Sequence, residues 1–162
     1  MIWHDVLFFH AAAIEMNGRG YLFAGKSGAG KTTHIRLWQK VFEKKVSVIN
    51  GDKPLISFRE NAPVIYGSPW RGKERLGSAL SAPVKALCFV EKSDENRLEP
   101  IGAEAALERV FDQIPRYAQA EAMIKTLELV EKLLTQVPCY VLYCRMDEQA
   151  ALTAYEGLKE AP

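Results

Sequence analysis

Residues 25–34 read Gly-Lys-Ser-Gly-Ala-Gly-Lys-Thr-Thr-His and match the pattern GxxxxGK[ST] at every fixed position. A loop of this kind constrains the fold on both sides, because it works only when a strand leads in and a helix leads out. Glycines 25, 28 and 30 permit positive φ and leave room for backbone N–H groups to surround phosphate oxygens. A helix opening at Lys31 adds the positive end of its dipole. Lys31 is then placed to reach β- and γ-phosphates, and Thr32 to offer its hydroxyl to Mg²⁺. The expected nucleotide site is Gly25, Lys26, Ser27, Gly28, Ala29, Gly30, Lys31, Thr32 and Thr33. The competing reading is a glycine-rich turn without a ligand, and the flanking strand and helix argue against it.

The flanks supply the fold class. "VLFFHAAAIEM" reads as a strand, Asn17-Gly18-Arg19-Gly20 as a tight turn, and "YLFAG" as a second strand that runs into the loop. From Thr32 onward, Ile35, Trp38 and Phe42 recur at helical spacing. "VSVIN", "PLISF", "PVIYG" and "VKALCFVEK" (84–92) are further strands, with "RENA" a polar turn between the second and third. "GAEAALERVFDQI" and "AEAMIKTLELVEKLLTQV" are amphipathic helices, one with a stripe of Ala106, Val110 and Ile114, the other of Leu127, Val130 and Leu134. Pro138 ends the second, "CYVLYCRM" is a last strand, and "DEQAALTAYEGLK" a helix capped by Asp147. Hairpin connections dominate residues 5–70, so an α/β fold with a mixed, largely antiparallel sheet and flanking helices is expected, rather than a doubly wound one.

Composition removes several classes of partner. A chain of 162 residues, 48% hydrophobic and 25% charged, is expected to form one domain (1–162) with a real core. A formal charge of +1 gives no global attraction to nucleic acid or to a membrane surface. Cys88, Cys139 and Cys144 lack zinc-type spacing and are odd in number, as reduced core thiols of a cytoplasmic protein would be. The apolar start carries His4 and Asp5 and no basic region, which reads as neither signal peptide nor membrane span.

Asp52 follows the strand "VSVI" with Asn50-Gly51 between, at a strand's C-terminal edge. A carboxylate there can hold Mg²⁺, directly or through water, or accept the proton of an attacking hydroxyl. The competing reading, an Asp that stabilises the turn before Pro54, is the weaker one beside the glycine loop. Lys53 reads as a phosphate ligand or a solvated turn charge. "YGSPWRGKERLG" (66–77) places Trp70, Arg71, Gly72, Lys73 and Glu74 in one loop. Phosphoryl transfer uses such cations, and Glu74 is a candidate second acid at the metal. The plainer reading is an apolar plug with solvated charges. His10, at the end of the first strand, is either a core histidine or part of the acceptor site. His34, Arg36 and Arg116 are candidates for phosphate or base contact, or surface charges.

Together "HAAAIEMNGRGYLFAGKSGAGKTTHIRLW", "VINGDKPLI" and "YGSPWRGKE" resemble the kinase domain of the HPr kinase-like family, related in fold to phosphoenolpyruvate carboxykinase. The likeness is to the small members made of that domain alone, specific over residues 8–92 and looser after. It implies phosphorylation of a hydroxyl with ATP and Mg²⁺, with Asp52 as the carboxylate that deprotonates the acceptor or lies against the metal. The family's paired acids are here Gly51-Asp52, so one carboxylate covers both roles or Glu74 assists. The larger members' N-terminal domain is expected to have no room, and the protein HPr is not implied as substrate.

The expectation is an ATP- and Mg²⁺-dependent kinase, with Asp52 and Lys31 catalytic, Thr32, Asp52 and Glu74 at the metal, and His10, Trp70, Arg71, Gly72 and Lys73 toward the substrate. The acceptor is a small-molecule hydroxyl or a peptide serine. A nucleotide-binding regulatory module and an NTP hydrolase without acceptor are the alternatives, and a carboxykinase-type reaction is a lesser one.

Overall fold

In the computed structural model, which describes residues 2–72 and 75–162, the chain runs β1 (Val6–Phe8), β2 (Ala12–Met16), β3 (Arg19–Ala24), α1 (Lys31–Phe42), β4 (Val46–Asn50), β5 (Leu55–Ser57), β6 (Val64–Tyr66), β7 (Ser81–Lys92), β8 (Arg97–Ile101), α2 (Ala103–Val110), α3 (Ala120–Gln136), β9 (Cys139–Cys144) and α4 (Glu148–Leu158). Among the described residues the strands form one sheet in the order β1-β5-β6-β7-β3-β2-β4, with β9 beside the far half of β7 and β8 outside β9. The long β7 is the hub. Its first residues pair antiparallel with β6, and the rest runs parallel to β3 on one side and to β9 on the other. The other ladders are antiparallel. The sheet is therefore mixed and largely antiparallel, as the hairpin-rich sequence implies.

Period-two alternation sorts the sheet's side chains onto two faces. Leu22, Leu87, Phe89 and Val141 point to one side, where Ala106 and Val110 of α2 and Leu129, Val130 and Leu133 of α3 cover them. Phe23, Ala86, Cys88 and Leu142 point to the other, under Ile35 and Trp38 of α1 and Ala150, Ala151 and Ala154 of α4. Two cores on opposite faces make a three-layer α/β/α sandwich. All three cysteines are buried free thiols, and burial pushes Cys139 up to about 12 and Cys144 up to about 11. No helix among the described residues is long and apolar enough to cross a membrane.

Three expectations need correction. The apolar run 6–16 is two strands: β1 pairs with β5, whereas β2 pairs with β3 and β4. Between them the chain changes partners, Phe9 N donating to Pro54 O, His10 N to Gln113 O and Ala11 N to Asp52 O. Strand β8 was not expected, since Arg97, Glu99 and Pro100 hide its pattern; it is an edge strand, where proline is tolerated. In α3 the buried face is Ala122, Thr126, Leu129, Val130 and Leu133, and Leu127 is exposed. Thr126 can occupy that face because its hydroxyl donates to Ala122 O at 2.8 Å.

Candidate active site

Strand order explains why residues far apart in sequence meet. β2 lies between β3 and β4, with Ala12 opposite Phe23 and Ala13 opposite Asn50. The start of β2 therefore sits between the ends of the other two, and His10, the glycine loop and Asp52 all emerge at that edge. In α/β sheets this C-terminal edge is where ligands are held.

The loop adopts the conformation its glycines were expected to allow. Gly28 and Gly30 hold φ of 82° and 98°, in the left-handed region. A Cβ on Gly25 would lie 2.9 Å from Val90 O, so only glycine lets the loop pass the neighbouring strand. Lys31 Nζ donates to Gly25 O at 2.7 Å and to Lys26 O at 3.4 Å, strapping the helix start to the loop. Burial holds its pKa below the ordinary lysine value, and the charge of Asp52 pulls against that.

The turn carrying Asp52 is built by Asn50. Asn50 Oδ1 accepts from Asp52 N at 2.9 Å and from Lys53 N at 2.7 Å, while its Nδ2 donates to Ser68 O and Oγ, both at 3.1 Å. The Asp52 carboxylate, 24% exposed, is thereby released from turn stabilisation. Its Oδ1 lies 3.1 Å from His10 Nε2 and its Oδ2 3.2 Å from Lys53 Nζ. Lys53 is thus the partner of Asp52 and does not line the cleft described next. Burial, and then the positive charge of Lys31, lower the pKa of His10 despite the opposing pull of Asp52. The ring is neutral near pH 7 and donates its Nε2–H to the carboxylate.

One cleft joins these groups: Ser27, Gly28, Gly30, Lys31, Thr32 and Thr33 on the loop side, His10, Gly51 and Asp52 opposite, and Arg71 and Gly72 at the rim. Gly25, Lys26 and Ala29 face an adjoining pocket over Phe89 and Val90, walled by Arg109, Asp112 and Gln113. Trp70 lines neither; it is 49% exposed and stands edge-on to Phe8 at 5.2 Å. Lys73 and Glu74 lie outside the described residues. His34 is corrected: it faces neither phosphate nor solvent, but is buried against Phe23 and accepts from Trp38 Nε1 at 2.9 Å. Arg116 is an exposed loop cation near Phe111 O at 3.5 Å.

Sequence reasoning missed Asn50, Lys92 and Met146. Lys92 and Met146 line the cleft from the ends of β7 and β9, where only the parallel pairing of β3, β7 and β9 brings them. Asn50 had a local signal, an asparagine at a strand end two residues before Asp52.

Among the described residues no three His, Cys, Asp or Glu side chains converge as a metal cage. Thr32 and Asp52 are hard oxygen donors in the same cleft. That sparse set suits Mg²⁺, which takes one or two protein oxygens and fills its remaining positions with water and phosphate oxygens.

No protein-family model matches the chain, and no curated protein sequence does. Among solved structures it is similar to the HPr(Ser) kinase/phosphatase from Coxiella burnetii. The TM-score is 0.48 with 10% identical residues, over 94% of this chain and 92% of that one.

Proposed function

We propose that this chain is an ATP- and Mg²⁺-dependent phosphotransferase that moves the γ-phosphoryl group of ATP to a hydroxyl of a small molecule or a peptide serine. The observation that carries this reading is the cleft shared by Lys31 and the glycine loop with the Asp52 carboxylate. The resemblance of residues 8–92 to the HPr kinase-like family supports it as well.

The loop N–H groups and Lys31 hold the phosphates. Thr32 and Asp52 would hold Mg²⁺, which offsets phosphate charge when bound. Asp52 takes the proton of the acceptor hydroxyl as its oxygen bonds to the γ-phosphorus and ADP leaves. His10 orients the carboxylate through the 3.1 Å contact. Catalysis is chiefly positioning and electrostatics, as a loose transition state requires.

A screen with γ-labelled ATP over amino acids, sugars, polyols and seryl peptides finds the acceptor class. In Asp52→Asn, nucleotide affinity is expected to stay within about threefold while transfer falls by roughly 10²–10⁴. Near-normal transfer in that variant defeats the role of Asp52. Brisk ATP hydrolysis with no compound labelled defeats the kinase reading.

A further inference from the structure

Arg71 and Arg75 are two exposed cations of one loop, and neither makes an ion pair or side-chain hydrogen bond with another described residue. Arg71 lines the cleft that holds Asp52. It also lines, with Arg75, a second and open pocket between Gly67 and Ala79. The pocket's other polar side chains are engaged elsewhere, Ser68 Oγ donating to Lys53 O and Ser78 Oγ to Val48 O. What the pocket presents is a pair of guanidinium groups, whose planar forks suit carboxylate and phosphate oxygens.

The placement of Arg71 is built into the backbone. A Cβ on Gly77 would lie 3.0 Å from Arg71 Cδ and 3.1 Å from its Nε, so the arginine stem rests on bare glycine. Gly77 is fixed in turn by its bridge to Asn50 and by the bonds Gly51 N to Leu76 O at 2.9 Å and Ser78 N to Ile49 O at 3.0 Å. The residue after Arg71 touches the site: a Cβ on Gly72 would lie 2.9 Å from Asp52 Cβ. A paired backbone segment thus seats one guanidinium at the boundary between the reacting carboxylate and the outer pocket.

We propose that Arg71 and Arg75 bind an anionic group of the phosphoryl acceptor, which is a small hydroxy compound carrying its own carboxylate or phosphate. The proposal rests on the phosphotransferase reading for the reaction, while the anion site stands independently of it. An acceptor anion approaching a triphosphate meets like charge, and the two arginines offset that repulsion on the acceptor side only. The hydroxyl then lies toward Asp52 and the anion toward Arg75.

The protein, saturated with Mg²⁺ and β,γ-imido ATP so that the loop is filled, is titrated with sulfate at an ionic strength held constant with chloride. Tryptophan fluorescence reports binding, Trp70 being exposed in the same loop. Saturable sulfate binding is expected in the native protein. It should weaken at least tenfold in both Arg71→Gln and Arg75→Gln, with nucleotide affinity in Arg75→Gln within twofold. Absent sulfate binding, or binding in either variant as strong as in the native protein, overturns the site. Transfer rates to glycerol, glycerate and glycerol 3-phosphate form the second arm, which separates carboxylate from phosphate. Preference for an acidic member, lost in Arg75→Gln, supports the proposal. Preference for glycerol overturns it, and preference confined to acidic peptides overturns the small-molecule assignment. Intact sulfate binding with no compound labelled overturns the phosphotransferase reading and leaves an anion site alone.

Discussion

The side chain of Asn50 is fully buried and uses both ends of its amide, one to hold the turn at Asp52 and the other to hold Ser68 at the root of the 66–77 loop. Both halves of the site hang on this one residue, which does not itself line the cleft. Asn50→Ala would strand two backbone N–H groups and the groups of Ser68 that now accept from its amide. Removing such a buried network costs about 2–4 kcal/mol, readable by urea denaturation. Transfer should fall with it while nucleotide affinity holds, because the glycine loop is untouched. A loss below about 0.5 kcal/mol would mean that water replaces the amide and that Asp52 is positioned otherwise. At this scale the place of Asp52 beside the glycine loop was legible, because it follows directly on a buried strand whose end lies at the loop's edge of the sheet. Asn50 was not, since Asn-Gly-Asp offers two side chains able to make the same turn.

At the scale of elements, residues whose local chemistry dictates geometry were readable: the Asn17-Gly18 hairpin, the glycine loop, and α4 with Asp147 accepting from Ala150 N. Elements defined by a neighbour were hidden. The break at His10 comes from a change of pairing partner, and the face of α3 from a threonine that satisfies itself. Two glycines give a matched test of what the loop does. Gly18 and Gly28 hold φ of 77° and 82°, and a Cβ on either would meet nothing within 4 Å. Alanine at each therefore costs backbone strain alone, about 1–2 kcal/mol of stability. Gly18→Ala should leave nucleotide affinity unchanged, and Gly28→Ala should weaken it about tenfold by letting the phosphate cradle relax. Equal affinities in the two variants, measured by calorimetry, would mean that the loop does not hold phosphate.

Over the whole molecule, the sequence pattern predicted helices on a mixed sheet, but not that β7 would serve as hub for three ladders, because pairing is not encoded locally. That arrangement buries α1 against β3, and His34 with it, one turn inside the helix that starts at the glycine loop. Its ring is fully enclosed, with Nε2 accepting from Trp38 Nε1, and burial lowers its pKa to about 3. Above the unfolded value of 6.5 the ring is neutral in both states and costs nothing. As pH falls below 6.5 the unfolded chain takes up a proton that the folded chain refuses, so stability drops continuously toward pH 3. Between pH 7 and 4.5 the loss from this group alone is about 2–3 kcal/mol. His34→Gln keeps an acceptor for Trp38 and removes the titration. Urea denaturation at the two pH values should therefore show the native protein losing about 2 kcal/mol more than the variant, even if the variant is weaker at pH 7. Parallel losses would place His34 in contact with water and dissolve the link between the core under α1 and acid sensitivity. A larger loss in the native protein would make that core the part of the molecule that fails first in acid, carrying the helix that follows the glycine loop with it.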